Sequence, residues 1–232
     1  INNLNNINLI TYGKNSDANI RLIKRIVNDS GQTIIAKAYG KKYKYSINMD
    51  GEHQAINSLA VIGALFITKC DIEKGLKNLS RASLPSGRGS RHNIIIKGKN
   101  STLIDDTYNA NPSSMIAALK SFNEIAESNR KILIFGEMGE LGIFSEDLHQ
   151  KVYNYLISLD ISLVIFIGNK TQKLYKSCNN IIECSWSENV YNAVKDIKLE
   201  LFQPEDCILV KGSRHMKLEI LVKHLIYKFK GK

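Results

Sequence analysis

The feature that most constrains the fold is a regular alternation of apolar runs and amphipathic segments from about residue 90 onward. Runs such as "ILIF", "LVIFI" and "ILVK" are almost continuously apolar, which is typical of parallel strands covered on both faces. Each run is followed by a polar or glycine-containing loop and then by a segment with helical periodicity. The alternation predicts a Rossmann-like, doubly wound and mostly parallel α/β sheet.

The predicted elements of this region follow one another without a repeat or a low-complexity linker. The predicted strands lie in "HNIIIKG", "STLIDDT", "RKILIFGEM", "SLVIFIGN", "NIIECS" and "DCILVKGS". The predicted helices lie in "NPSSMIAALKSFNEIAES", "SEDLHQKVYNYLIS", "KTQKLYKSC", "SENVYNAVKDIK" and "MKLEILVKHLIYKF".

The first 80 residues are organised differently. Short β-branched segments ("NLITYG", "IRLIKRIVND", "QTIIAKAYG", "KKYKYSINM") predict strands and hairpins. The segment "GEHQAINSLAVIGALF" predicts a buried helix over about 53–68, and "DIEKGLKNLS" predicts a second helix with Asp71 as its N-cap. The stretch "RASLPSGRGSRH" then interrupts the pattern. We therefore expect one domain at 1–82 and another at 83–232.

The net charge of +10 and the pI near 9.3 admit three interpretations. Lys, Asn and Ile are all abundant, as an AT-rich genome would produce, so the first is compositional bias. The second is an anionic substrate, because basic clefts concentrate phosphates. The third is nucleic acid, which we disfavour because the lysines are spread along the whole chain.

Targeting and cysteine signals point to a cytoplasmic protein. No apolar run approaches the roughly 20 residues of a membrane helix, and "INNLNNINLITYG" does not have the form of a signal peptide. The chain begins without Met, which processing or truncation would explain. The four cysteines form no CxxC pair and no His lies at metal-ligand spacing, so we expect buried, inert thiols and no zinc site.

The stretch "LIDDTYNANPSSM" concentrates hydrogen-bonding side chains between a strand and a helix. Turn chemistry alone accounts for Asp and Asn there, with Asn111 as N-cap and Pro112 in the first helical position. A ligand at the carboxyl end of a parallel sheet is the second explanation. The loops "GEMGELG", "GNKT" and "KGSRH" also follow predicted strands, so they share that edge and favour the ligand explanation.

Three of these loops have specific chemistry to test. "KGSRH" offers backbone N–H groups and two cations to a carboxylate or phosphate, with Gly212 allowing close approach. Glu137 and Glu140 in "GEMGELG" either orient a ligand amine or support neighbouring loops. His149, on the following helix, we interpret as a packing or capping residue. "GNKT" does not match a phosphate loop, and the pattern G-x-x-x-x-G-K-[ST] occurs nowhere in the chain.

The segment "GRGSRH" places Arg88 and Arg91 at the expected domain boundary. One interpretation is a flexible Gly-Arg-Gly linker. The other is an arginine at a hinge that reaches a nucleotide phosphate as domains close.

Taken together, "GEHQAINSLAVIGA", "SLPSGRG", "TLIDDTYNANPSSMIAAL", "FGEMGELG" with "SEDLH", and "ILVKGSRHMKLE" resemble the Mur ligases of peptidoglycan synthesis. The "YNANP" turn resembles the member that adds D-alanyl-D-alanine. The resemblance runs over essentially the whole chain but covers only part of such an enzyme. It implies that residues 1–82 are the end of a central ATP-binding domain and that residues 83–232 are the Rossmann-like third domain. The UDP-sugar-binding domain, the phosphate loop and the carbamylated lysine of the family are missing.

The implied reaction is ATP-driven amide formation between UDP-N-acetylmuramoyl-tripeptide and D-alanyl-D-alanine through an acyl phosphate. ATP and Mg²⁺ are the implied cofactors, with the magnesium ligands expected outside this chain, so no catalytic set is complete here. The resemblance implies that Asn57 faces the adenine, Arg88 the phosphates and Asp106 the ribose hydroxyls. It implies a dipeptide pocket lined by Tyr108, Asn109, Asn111, Lys211, Ser213 and Arg214.

Two positions depart from the family pattern. Gln54 stands where the family usually has Asn, so an amide is retained but its reach differs. Glu137 stands where the family more often has Asp, and we assign it no direct role. The resemblance also implies a monomer, and the charge distribution and the absence of a long apolar run lead us to expect neither a nucleic-acid partner nor membrane insertion. The alternative function is a non-catalytic nucleotide- or peptide-binding module, because this chain has no phosphate loop.

Overall fold

The computed structural model describes residues 8–28, 31–82, 84–126 and 129–230. The chain divides into two compact units, Ile1–Ser83 and Leu84–Lys232. The division falls one residue after the boundary expected from "RASLPSGRGSRH". The first seven residues, which belong to the segment tested for a signal peptide, and residues 127–128, which end a predicted helix, lie outside the described residues.

The first unit contains a four-stranded sheet in the order β1-β2-β3-β4. Its strands are β1 (Tyr12–Gly13), β2 (Ile20–Asn28), β3 (Gly31–Ala38) and β4 (Lys41–Ile47). β1 is parallel to β2, and the other pairs are antiparallel. The strand predicted in "NLITYG" is only two residues long, because the Thr11 backbone N–H donates to Asn19 Oδ1 (2.8 Å) instead of continuing the ladder.

Two helices cover one face of this sheet, and their residues form its core. They are α1 (Glu52–Ile67) and α2 (Ile72–Leu79). Ala55, Leu59 and Ile62 lie one helical turn apart on α1 and are fully buried against the strands. Asp71 accepts a hydrogen bond from the Lys74 backbone N–H (3.1 Å), so the predicted N-cap is confirmed.

The second unit contains a six-stranded sheet in the order β5-β6-β10-β7-β8-β9. Its strands are β5 (Ser90–Ile96), β6 (Lys99–Asp106), β7 (Lys131–Gly136), β8 (Leu163–Ile167), β9 (Glu183–Ser187) and β10 (Cys207–Lys211). All pairs are parallel except β5 with β6. The mostly parallel, Rossmann-like sheet is confirmed. β10 lies between β6 and β7, so the loops after these three strands are neighbours at one edge.

Helices cover both faces of this sheet, as the apolar strands required. They are α3 (Pro112–Ile125), α4 (Ser145–Leu156), α5 (Gln172–Cys178), α6 (Val190–Asp196) and α7 (Glu219–Lys228). Leu133 and Phe135 of β7 pack in a core with α3, α4 and α5, whereas Ile132 and Ile134 pack on the other face with α6 and α7. Alternate residues of a buried strand therefore serve two separate cores.

Two predictions from the sequence are wrong in detail. The last helix begins at Glu219 rather than Met216, because a 3₁₀ turn (Arg214–Met216) and Lys217 in the left-handed conformation (φ 53°) precede it. Cys70 is exposed, unlike the buried thiols of Cys178 and Cys207. It follows Lys69, whose positive φ of 54° turns the chain between α1 and α2.

Within the described residues, no helix has the length and apolarity needed to span a membrane.

The start of α3 provides a test of local stability. Asn111 Oδ1 accepts from the Ser114 backbone N–H (2.8 Å), and Ser114 Oγ accepts from the Asn111 N–H (3.0 Å), which forms a capping box. We expect Asn111→Ala to lower the free energy of unfolding by about 1 kcal/mol, and Asn111→Ser to retain most of it. Urea unfolding followed through Trp186, the single tryptophan, measures the second unit. Equal stabilities of the Ala variant and the wild type would contradict the capping role.

Candidate functional site

Three loops that are far apart in sequence meet at the carboxyl edge of the second sheet. They follow β6 (107–111), β7 (137–141) and β10 (212–217). The Ser213 hydroxyl joins them, because it donates to the Ala110 carbonyl (3.1 Å) and accepts from the Gly139 N–H (2.6 Å). The Ser213 N–H also donates to the Glu137 carbonyl (3.0 Å). Ser213 is buried, and its hydroxyl connects loops rather than facing solvent.

Gly212 is required by packing between loops. A Cβ on Gly212 would lie 2.6 Å from Leu218 Cδ1 and 2.9 Å from Gly136 Cα, distances that real Cβ atoms do not adopt. The ends of β7 and β10 therefore approach each other through two glycines. This reason differs from the expected one, which was close approach to a ligand.

Lys211 and Asp106 form a shielded ion pair at the ends of β10 and β6. The two residues are register partners in the parallel sheet. Lys211 Nζ lies 2.8 Å from Asp106 Oδ2 and donates to the Asn109 carbonyl at 2.9 Å. The Lys211 side chain is 3% exposed and that of Asp106 is 23% exposed. The carboxylate thus keeps an accessible surface, whereas the ammonium is enclosed.

The neighbouring acid, Asp105, holds the segment that carries Arg88. Its Oδ2 accepts from the Gly87 N–H (3.1 Å), and its Oδ1 accepts from the Thr107 hydroxyl (2.7 Å). The Gly89 N–H donates to the Asp105 carbonyl (2.8 Å), and the Gly87 carbonyl accepts from the Tyr108 N–H (2.8 Å). Gly87 has φ +79°, which favours glycine. The Gly-Arg-Gly segment is therefore tied to the strand end, so the flexible-linker interpretation is wrong for these residues.

Two arginines make cation–π contacts with the Tyr108 ring at the exposed side of this edge. The Arg88 guanidinium carbon lies 3.9 Å from the centroid of the Tyr108 ring, and that of Arg214 lies 5.9 Å away. Tyr108 is 44% exposed, and Arg214 also pairs with Glu219 (3.5 Å). Cation–π contact orients the guanidinium groups without neutralising them. The Arg88 guanidinium beside Tyr108 is thus suited to an anionic ligand group.

The two asparagines of the β6–α3 loop are exposed, and their carbonyl oxygens have local partners. Asn109 Oδ1 accepts from the Ala110 N–H (2.8 Å), and Asn111 Oδ1 caps α3. With these oxygens engaged, the NH₂ groups are the donors that both side chains could offer to a ligand. The resemblance implied that both residues line the dipeptide pocket, but it did not indicate which end of each amide would remain for a ligand.

Glu137 supports loops at the same edge. Its Oε2 accepts from the Lys170 N–H (2.9 Å), and its Oε1 lies 3.1 Å from His215 Nε2. A Cβ at Gly168 would lie 2.9 Å from the Glu137 carboxylate. Of the two roles considered for the acids of this loop, these contacts favour loop support for Glu137.

His149 is a buried structural residue, as interpreted from the sequence. The Met138 N–H donates to Nε2 (2.9 Å), and Nδ1 donates to the Ser145 carbonyl (2.6 Å). This pattern fixes one neutral tautomer. Burial lowers the pKa of His149 below its ordinary value of 6.5. Both ring nitrogens are occupied, which leaves none for proton transfer with a ligand.

Asn57 lies on α1 in the first unit, where its side chain is exposed. Gln54, three residues earlier on the same helix, is half-buried.

Within the ranges that the structure describes, no three His, Cys, Asp or Glu side chains converge to hold a metal ion. Burial raises the pKa of Cys178, and it raises that of Cys184 to about 12, so both thiols are protonated at neutral pH.

The second unit matches a known family model. The model described as "Mur ligase, glutamate ligase domain" matches residues 90–214. The chain is 33% identical over 222 residues to a UDP-N-acetylmuramoyl-tripeptide–D-alanyl-D-alanine ligase of Rickettsia prowazekii, covering 95% of the chain and 48% of that protein. It is 30% identical to the protein of the same name from Bacillus subtilis, covering 93% and 47%. The chain thus spans about half the length of the curated relatives it matches.

Solved structures show the same fold at lower identity. A crystal structure of MurF from Acinetobacter baumannii has a TM-score of 0.77 at 20% identity and covers 92% of this chain and 46% of that one. MurF from Thermotoga maritima in complex with ADP has a TM-score of 0.75 at 18% identity, covering 95% and 49%. At these identities the likeness is one of fold.

The lowered pKa of His149 predicts an acid-sensitive second unit. The neutral ring stabilises the fold fully above the ordinary pKa of 6.5, and this stability is lost as pH falls through the lower pKa of the folded state. We expect the free energy of unfolding to fall between pH 7 and pH 5, with up to about 1.4 kcal/mol per pH unit from this proton. His149→Gln should flatten the slope measured through Trp186.

His224 provides the matched control for this prediction. Its pKa is also lowered by burial, but the side chain is only half-buried. His224→Gln should therefore change the slope less than His149→Gln. Equal slopes in the wild type and the His149 variant would show that the ring is not held neutral.

Proposed function

The chain belongs to the Mur ligase family, and from this premise we propose that it is the carboxyl-terminal part of an ATP-dependent ligase. The proposed reaction joins D-alanyl-D-alanine to UDP-N-acetylmuramoyl-tripeptide in peptidoglycan synthesis. The observation that carries the proposal is the meeting of Arg88, Asp106, Asn109, Lys211 and Ser213 at one sheet edge, where open α/β folds bind ligands. A cytoplasmic location, expected from the targeting and cysteine signals of the sequence, and a monomeric state, implied by the family resemblance, both belong to the proposal.

Asp106 and Arg88, both in the second unit, form the nucleotide end in this proposal. The Asp106 carboxylate is partly exposed and accepts hydrogen bonds from ribose hydroxyls. Arg88, fixed in place through Asp105 and Tyr108, directs its cation toward phosphates. Asn57, on α1 of the first unit, stays a separate prediction: its exposed amide is the group that would contact an adenine. We expect the magnesium ligands outside this chain, as the family resemblance implies, so no step is assigned to the metal on these residues.

Tyr108, Asn109, Asn111 and Arg214 form the dipeptide end. The incoming dipeptide carries a carboxylate, for which the Arg214 guanidinium and the NH₂ groups of the two asparagines are suitable donors. Lys211 and Ser213 are enclosed, so their effect on the dipeptide passes through the loops that they hold. This assigns them a different part in the pocket from the direct contact that the resemblance implied.

Charge placement and alignment are the contributions of these residues to the reaction. ATP supplies the phosphoryl group that converts the acceptor carboxylate into an acyl phosphate. The amine of the dipeptide then attacks that carbonyl, and phosphate leaves. The chain aligns the amine with the activated carbonyl and neutralises anionic groups by its arginines. Neither Asp105 nor Asp106 is needed as a general base, since both carboxylates already have hydrogen-bonding partners.

Substitution of Arg88 or Asp106 tests the nucleotide end in the full-length ligase. Each replacement by Ala removes one charged hydrogen bond to the nucleotide, worth about 1.5–3 kcal/mol, so kcat/KM should fall about 10- to 150-fold. Asp106→Ala also removes the ion pair of the enclosed Lys211 ammonium, so its free energy of unfolding is measured beside its kinetics. Arg81→Ala and Asp160→Ala, at exposed positions elsewhere, are the charge-matched controls and should stay near the wild type. Values of kcat/KM near the wild type for both site variants would contradict the assignment of Arg88 and Asp106 to the nucleotide end.

Binding to the isolated 232-residue chain tests the alternative of a non-catalytic module. The alternative is favoured for the chain alone by the missing G-x-x-x-x-G-K-[ST] pattern, since that loop cradles a triphosphate. Calorimetry should therefore detect no tight ATP binding, with a Kd no better than about 1 mM, equivalent to about −4 kcal/mol. A micromolar Kd would show that the triphosphate does not need a phosphate loop.

A further inference from the structure

We propose that Lys211 is a positioning residue that couples the nucleotide end of the site to the dipeptide end. The inference rests on the proposed function, because it takes Asp106 as a nucleotide contact and Asn109 as a dipeptide contact. It goes further by assigning to Lys211 a role in communication between the two ligands, although Lys211 itself touches neither.

The geometry gives Lys211 one partner at each end. Its ammonium lies 2.8 Å from the Asp106 carboxylate and 2.9 Å from the Asn109 carbonyl, with 3% of the side chain exposed. Two of its three N–H donors are therefore engaged, and almost no surface remains for a ligand. A lysine that bound phosphate or carboxylate directly would need an open ammonium.

The enclosure of Lys211 makes its two contacts depend on each other. A buried ammonium that loses a partner incurs a large desolvation cost, so the ion pair and the hydrogen bond to Asn109 are retained together. A ligand that fixes the Asp106 carboxylate also fixes the ammonium, and the ammonium fixes the backbone at Asn109. The loop that carries Tyr108, Asn109 and Asn111 is then preordered for the dipeptide.

The adjacent residue Asp105 supports this division of roles. Its carboxylate bonds Gly87 and Thr107, so it holds the Arg88 segment and the start of the same loop. Asp106 is left to pair with Lys211. The loop is thus held at Thr107 by one acid and at Asn109, through Lys211, by the other. Only the second connection joins a partly exposed carboxylate to the dipeptide side.

Coupling between ligands separates this role from a purely structural one. A lysine that only stabilised the fold would lower the free energy of unfolding when removed, yet nucleotide would still raise dipeptide affinity as in the wild type. A positioning lysine contributes to the coupling free energy, so its removal weakens the effect of nucleotide on dipeptide affinity. By linkage, the effect of nucleotide on the dipeptide Kd equals the effect of dipeptide on the nucleotide Kd, so both titrations report it.

The experiment uses the full-length ligase and titrates D-alanyl-D-alanine by calorimetry, with and without a non-hydrolysable ATP analogue. In the wild type we expect the analogue to lower the dipeptide Kd at least about fivefold, within the usual range of coupling. In Lys211→Met, which has similar length and no charge, the two Kd values should differ less than about twofold. Lys223→Met, at an exposed position on α7, should retain the wild-type ratio.

A second variant keeps the test usable if Lys211→Met does not fold. Lys211→Gln keeps a hydrogen-bond donor near the Asn109 carbonyl but removes the charge that pairs with Asp106, and it should also lose the coupling. Trp186 fluorescence establishes which variants are folded.

Wild-type coupling in a folded Lys211 variant, or ligand binding without coupling in the wild type, overturns this inference alone. A wild-type ligase that binds neither ligand overturns the proposed function as well.

Discussion

The position of β10 between β6 and β7 is the constraint on which the candidate site depends. Parallel neighbours end at the same edge of a sheet, so Lys211 at the end of β10 stands beside Asp106 at the end of β6. Lys211 and Asn109 are 102 positions apart in sequence, yet they share a hydrogen bond. Backbone ladders on both sides of β10, and apolar cores on both faces of the sheet, fix this placement.

Two layers of polar groups are present at this edge. Asp105, Lys211 and Ser213 are buried, and each bonds to a group on another loop or on the adjoining segment. A buried polar group without a partner is costly, so these bonds keep the loops together. Arg88 and Tyr108 lie exposed above them. The enclosed groups hold the loops in place, and the exposed side chains remain accessible at the surface.

The sequence was a good guide wherever the cause of a structure lies within a few residues. The apolar runs gave the buried strands, Asp71 and Asn111 gave helix caps, and the environment of His149 agreed with a packing role. It was a poor guide where the cause lies elsewhere in the chain. The start of α7, the exposure of Cys70 and the reason for Gly212 depend on backbone geometry or contacts that no local pattern contains.

The sequence by itself determined the alternation of strands and helices and the mostly parallel sheet, because periodicity is a local property. The family followed from the resemblance of its motifs to those of the Mur ligases. The sequence also identified the loops that meet at the sheet edge. Only the tertiary structure decided that Lys211 is enclosed between Asp106 and Asn109, that Ser213 joins two other loops, and that Asp105 ties down the Arg88 segment. Those roles depend on strand order and burial, which arise from long-range packing.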